Sequence, residues 1–356
     1  MTYVYLNYDN MKSVVKSISD YADNAASAKA AAAAINFAHH FVVDLSGIAG
    51  WDEKVQSLRD KGKEIDDRVE LAKHQSENGL SPKQGVDISY YVPDGVDDTV
   101  DNVQNASWAM DDAKLIEDVV NGSSPARFDD PKYKAARERA EQRAQDPAYA
   151  AGFVEKYGLT DLLHMPEEAR IEAGNYKTSP DADISFVANM VSHASQTWSE
   201  EESKKKSEEV SGWVNGVGKF GRASELNAVL QVEGMKYGND FLVSLADRME
   251  DINWTPEWDT GGMGAKQVTG KTLEGYSTDP LLGVLTAMKS NPDAALNYFA
   301  SKGRVDANGN WAPSDETKKR WEKLSTRRWG DEGENAFTAA QAGAPGTPPR
   351  GHWTTT

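Results

Sequence analysis

The chain of 356 residues contains no cysteine. That absence excludes disulfides, thiol nucleophiles and Cys-ligated metal sites. A long apolar run is also missing. The most hydrophobic window, residues 30–43, is interrupted by Asn36, His39 and His40 and is too short to cross a bilayer. The start, Met1 to Asn7, has neither a basic segment nor an apolar core, so no cleavable secretory signal is expected. Positive charge is scarce: 39 basic residues against 56 acidic ones leave a net charge of −17. Such a chain repels phosphate, which argues against nucleic acid and anionic membranes as partners. Hydrophobic residues make up 39%, enough for globular cores, and the length suggests two or three domains.

What is present is helical periodicity. Met11, Val14, Ile18, Tyr21, Ala25, Ala28, Ala32, Ile35, His39 and Val42 alternate at spacings of three and four, a heptad seam set in an alanine-rich, strongly helix-forming stretch. Asp44 to Gly50 breaks it, with glycines at Gly47 and Gly50. A second seam then runs through Trp51, Val55, Leu58, Gly62, Ile65, Val69 and Ala72. Two such helices joined by a short break predict an antiparallel hairpin over residues 1–80 that turns at Gly47, Gly50 and Trp51, its first helix ~50 Å long. Gly62 is expected to face the alanine-rich stretch. Val15, Phe37, Phe41 and Leu71 lie off the seams and need cover from later helices or from a partner.

Residues 81–130 read as a linker, with a short extended stretch at Ile88 to Val92, followed by a third helix ending at Asn121-Gly122. Residues 131–335 read as one or more helical domains. Short helices are expected over 131–175 and an amphipathic one over Asp183 to Ser199. Glu200 to Glu209 reads as a solvated helical extension, and Ser224 to Ile252 as a long helix bent near Gly234 or Gly238. Further helices are expected near 280–290, 292–302 and 314–327. Residues 336–356 are compositionally a disordered tail. Such a tail directly after a charged helix points to truncation, a change of frame or a lost C-terminal domain. One frame recurs: Asp146-Pro147 closing at Gly158, and Asn291-Pro292 closing at Gly303. An Asx cap accepts an orphan N–H, proline pre-sets φ, and glycine takes the left-handed end.

Motifs that carry chemistry are weak. Ala265 to Thr272 fits a relaxed phosphate-binding loop, but no strand precedes it and no helix of useful length follows. The six histidines, His39, His40, His74, His164, His193 and His352, form no two-histidine helix face or His-Glu-x-x-His pair. Val305 to Asn310 resembles the start of a calcium loop but lacks its later ligands. No Gly-x-Ser-x-Gly elbow presents a serine. Neither a catalytic residue nor a cofactor nor a metal is expected.

The hairpin resembles the helical-hairpin substrates of type VII (ESX-like) secretion systems, although Gly50-Trp51 stands in reverse order to that family's Trp-x-Gly turn. Tyr90 and Asp94 match its Tyr-x-x-x-Asp/Glu export signal, as do Tyr5 with Asp9 and Tyr157 with Asp161. The later segments, Asp146-Pro147 to Leu163 and Asp279-Pro280 to Pro292, resemble long actinobacterial helical proteins of unknown function. Together these imply an all-α fold and a non-enzymatic, secretion-associated interaction protein or the carrier region of an exported effector. A cytosolic or phage-encoded helical structural protein is the alternative. The implied partner is a helical protein, or a second copy docking through the hairpin, without membrane insertion. The implied location is the cytoplasm, or outside the cell by a route that needs no signal peptide.

Overall fold

The computed structural model describes residues 2–39, 45–48, 50–123, 128–172, 181–215, 221–255, 273, 275–300, 303–305, 311–329 and 333–342. The fold is all-α: two long N-terminal helices pack closely and a bundle of shorter helices follows. The helices are α1 (Tyr8–Ala38), α2 (Trp51–Glu77), α3 (Val100–Val120), α4 (Pro131–Arg143), α5 (Pro147–Tyr157), α6 (Leu159–Glu172) and α7 (Asp181–Ser195). Then come α8 (Glu200–Val214), α9 (Gly221–Leu230), α10 (Asn239–Met249), α11 (Pro280–Lys289), α12 (Pro292–Ala300), α13 (Asp315–Thr326) and α14 (Gly333–Ala342). Four short strands, β1 (Thr2–Leu6), β2 (Ile88–Val92), β3 (Gly303–Val305) and β4 (Trp311–Pro313), form two antiparallel pairs, β1–β2 and β3–β4. Two compact units result: residues 2–92 with 97–107, and residues 93–96 with 108–356.

In the first unit α1 and α2 form the expected hairpin. Asn7 caps α1 by accepting from the Asn10 N–H at 3.1 Å. A turn at Ser46–Ile48 holds Gly47, and Gly50, with φ of 80°, leads into Trp51, the first residue of α2. The α2 seam is as expected: Val55, Gly62, Val69 and Ala72 are buried, and Trp51, Leu58 and Ile65 half-buried. The α1 seam needs correction. The stripe turned inward is Met11, Val15, Ile18, Ala22, Ala25, Lys29, Ala32 and Asn36, whereas Val14, Tyr21, Ala28 and Ile35 are exposed. The helix is rotated so that its small residues meet α2. A Cβ on Gly62 would lie 3.2 Å from Ile18 Cγ2, so Gly62 faces Ile18 and not the alanine-rich stretch.

The stretch 88–92 is β2, paired with β1 from Thr2 opposite Val92 to Leu6 opposite Ile88. Its apolar residues, with Val4 and Leu6 of β1, pack on Leu71, Ala72, Val100 and Val103, so Leu71 is covered by its own chain. The outer edge of β2 is closed by α2: Tyr91 N donates to Gln75 Oε1 at 3.0 Å and Ser89 N to Ser76 Oγ at 2.9 Å.

The second unit is built around one large core whose bulkiest members include Tyr149, Phe153, Phe241, Tyr298 and Phe299, all fully buried. Asp146 caps α5 by accepting from Tyr149 N at 2.9 Å, and Gly158 closes it with φ of 86°. At the end of the matching frame Gly303 lies in β3, and residues 301–302 before it are outside the described residues. Asn291, before Pro292, donates its side-chain amide to Ala287 O and Met235 O. The expected long helix from Ser224 is two helices, α9 and α10, separated by a stretch with Gly234 at φ of 80°. Residues 200–209 are helical as expected, in α8 capped by Ser199, but only one side is solvated: Glu202, Ser203, Lys206 and Ser207 are buried. Residues 336–342, placed by composition in the tail, lie in α14, with Ala336, Phe337 and Ala340 in the core. His40, Phe41, Val42, Ala265 to Thr272, Asp306 to Asn310 and residues 343–356 lie outside the described residues.

Candidate interaction face

The two borders of the hairpin differ. Along one, ion pairs join the helices: Lys12 Nζ with Asp66 and Glu70, each at 2.5 Å, Arg59 with Asp23 at 2.8 Å, and Lys29 with Asp52. The hydrogen bonds of Asp66 and Glu70 hold the Lys12 ammonium well above its ordinary pKa.

Along the other border runs Asn10, Val14, Ser17, Tyr21, Asn24, Ala28, Ala31, Ile35 and Ala38, all exposed and none charged. Their spacing of three and four keeps them on one helical stripe for about 40 Å. Val14 is 45% exposed, Tyr21 66% and Ile35 58%, and Phe37 beside them 71%. A shallow hollow of about 350 Å³ opens there, lined by Ser13, Val14, Ser17, Ile18, Tyr21 and, from α2, Leu58. From Asn24 to Ala38 the single charged residue is Lys29, which pairs with Asp52. A helix this poor in charge normally has its apolar surface covered.

The residues of the expected export signal are held elsewhere. Tyr90 lies on β2, buried, with its hydroxyl donating to Asp98 Oδ2 at 3.0 Å. Burial, with the Asp98 charge, pushes its pKa up to about 12. Asp94 accepts from Ser199 Oγ at 2.8 Å. No helix displays the pair.

Buried charges in the second unit tie helices together. Asp112 of α3 accepts from Tyr149 at 2.7 Å and pairs with Arg139. Glu250 accepts from Tyr298 at 2.5 Å and Arg320 at 3.1 Å. His164 of α6 meets Glu225 of α9 at 2.6 Å. Burial lowers the His164 imidazole, but the hydrogen bond and charge of Glu225 outweigh it and leave it raised; burial leaves Glu225 raised as well. Among the described residues, no serine, threonine or lysine side chain is hydrogen-bonded to that pair. Among the described residues, no group of three His, Asp or Glu side chains is placed to hold a metal ion, and no helix is long and apolar enough to cross a membrane.

The exposed stripe is not legible as such in the sequence, where its larger members make the most hydrophobic seam of α1. The signal that separates them is the charge of the neighbouring positions: Lys12, Asp23 and Lys29 find partners on α2 only if α1 turns Val15 and Ala22 inward.

No curated protein and no solved structure matches the chain. Residues 1–350 match the model of a family of unknown function, DUF6571, and the chain belongs to that family.

Proposed function

We propose that this chain is a non-enzymatic interaction protein whose N-terminal hairpin docks a helical partner, a second copy or a small hairpin protein, along the uncharged stripe of α1. The observation that carries the reading is that stripe: large apolar side chains left exposed at heptad spacing beside a groove, on a helix whose other border is saturated with ion pairs. Small residues at Ala28, Ala31 and Ala38 allow a second backbone to approach closely. The cell context proposed is type VII secretion, with the chain as a substrate or as the carrier region of an exported effector; support comes from the hairpin resemblance alone.

Photo-crosslinking residues placed at Tyr21 and Ile35 test the docking. Both positions are expected to yield one defined adduct in producing cells, while Asp60, exposed on the far side of α2, yields none. Equal labelling at all three positions would remove the reading. The secretion context has its own test. Export should depend on an active type VII ATPase, and retention in cells with that ATPase active would contradict it while leaving the docking face intact.

A further inference from the structure

We infer that His164 and Glu168 of α6 form a binding site for a first-row divalent metal ion such as zinc, with Glu225 of α9 as the carboxylate that orients the imidazole. The site lies wholly in the second unit and is independent of the docking face.

The geometry begins on one helix. Residues four apart share a helical face, and His164 Nε2 lies 3.8 Å from Glu168 Oε1. That is too long for a hydrogen bond. It is close to the separation of about 3.4 Å between two ligands of one tetrahedral zinc ion, each about 2.1 Å from the metal. Both side chains reach solvent, His164 being 22% and Glu168 36% exposed, so a small swing of Glu168 closes the difference. On the other side of the ring, Nδ1 donates to Oε2 of the buried Glu225 at 2.6 Å. That bond places the ring proton on Nδ1 and turns the Nε2 lone pair towards Glu168, the carboxylate–histidine–metal arrangement.

His74 and His193 show what the combination requires. His74 Nδ1 accepts from the Asn78 amide at 3.0 Å, which leaves the ring proton on Nε2. His193 Nδ1 donates to Asn189 O at 2.9 Å, the useful tautomer, but four residues on stands Thr197, not an acid. Charge agrees with the assignment. Glu168 and Glu225 act on the His164 imidazole against Arg222, whose guanidinium stacks on the Trp213 ring at 4.9 Å, so a dication meets net negative charge. One imidazole nitrogen with one carboxylate oxygen suits zinc and its neighbours better than calcium or magnesium. Water completes the shell, and a proton competes with the metal for Nε2 at low pH. A search for paired histidines passes over this site because its second ligand is a glutamate.

Isothermal titration calorimetry of Zn²⁺ into the intact chain at about pH 8 provides the test. One ion per chain should bind with a dissociation constant on the order of 10–100 µM, since half the ligands of a structural zinc site are present. His164→Ala and Glu168→Gln should each weaken binding about tenfold or more, and Glu225→Gln about tenfold, acting through the imidazole. His74→Ala should leave it unchanged. Circular dichroism checks that each variant keeps its helices, and Glu168→Gln, at a side chain in contact with solvent, decides the matter should either of the other two unfold the unit. No saturable binding tighter than about 1 mM overturns the inference. So does equal affinity in Glu168→Gln, which would show only diffuse attraction of the ion to an acidic chain.

Discussion

The two units treat their apolar residues differently. In the second unit α7, a helix of 15 residues, buries nine of them fully. In the first, α1 is 31 residues long and fully buries only Ala22 and Asn36. Both helices have regular apolar spacing, so pattern alone does not separate them. The difference lies in neighbours: α7 packs against α5, α6 and α9, whereas the main helical neighbour of α1 is α2. A helix of the second unit is finished by its own chain. The hairpin resembles half of a four-helix bundle, with one border sealed by charge and the other left apolar.

The largest expected effect belongs to the finished core. Phe153 is fully buried, stacks on Tyr157 at 5.8 Å and meets Phe186 edge-on at 5.6 Å. Phe153→Ala should cost ~3–5 kcal/mol in urea unfolding of that unit. A loss below about 1 kcal/mol would mean that this core is loosely packed and that the contrast with the hairpin is false. Next comes the hairpin seam, where Gly62→Leu must displace Ile18 and should cost roughly 1–3 kcal/mol. A neutral result would show that the helices already stand further apart than the Gly62–Ile18 approach requires.

The His164–Glu225 pair predicts a pH dependence confined to the second unit. A raised imidazole contributes stability that is complete below about pH 6.5, its ordinary value, and lost as pH rises through the raised one. The raised Glu225 carboxyl acts in the same direction. The melting temperature of that unit should therefore fall as pH rises above about 6.5, and His164→Gln should flatten the slope. An unaltered slope in the variant would place the titration elsewhere. The smallest effect is expected at the exposed stripe: Ile35→Asn should change the stability of the dilute protein by no more than about 0.5 kcal/mol. A larger loss would show that Ile35 is already covered by its own chain.

Much of the architecture is legible in the sequence. The α2 seam, the turn at Gly47 and Gly50, the extended stretch at 88–92 and the Asp146-Pro147 cap follow from local spacing and capping chemistry. What local spacing conceals depends on partners far away along the chain. On α1, neighbouring positions offer Val14 or Val15, Tyr21 or Ala22, and Ile35 or Asn36. Hydrophobicity favours the larger residue at the last two, yet the ion pairs to Asp66, Arg59 and Asp52 turn Val15, Ala22 and Asn36 inward. In α8, a run of charges looks solvated until α10 covers it: Ser207 hydrogen-bonds Phe241 O at 3.3 Å, and Lys206 lies between Glu202 and Glu209. The absence of an export-signal helix at Tyr90 follows from β1, more than eighty residues earlier, which recruits that segment into a strand.

Because the chain has no cysteine, a single introduced thiol reports on one position. Tyr21→Cys and Asp60→Cys place it on the stripe and on the far side of α2. Alkylation rates of the two variants, measured in producing cells and on the dilute purified protein, test the docking face directly. The account predicts that the thiol at position 21 is protected in cells and reactive in the dilute protein, while that at position 60 reacts alike in both. A thiol at position 21 as reactive in cells as in the dilute protein would contradict it.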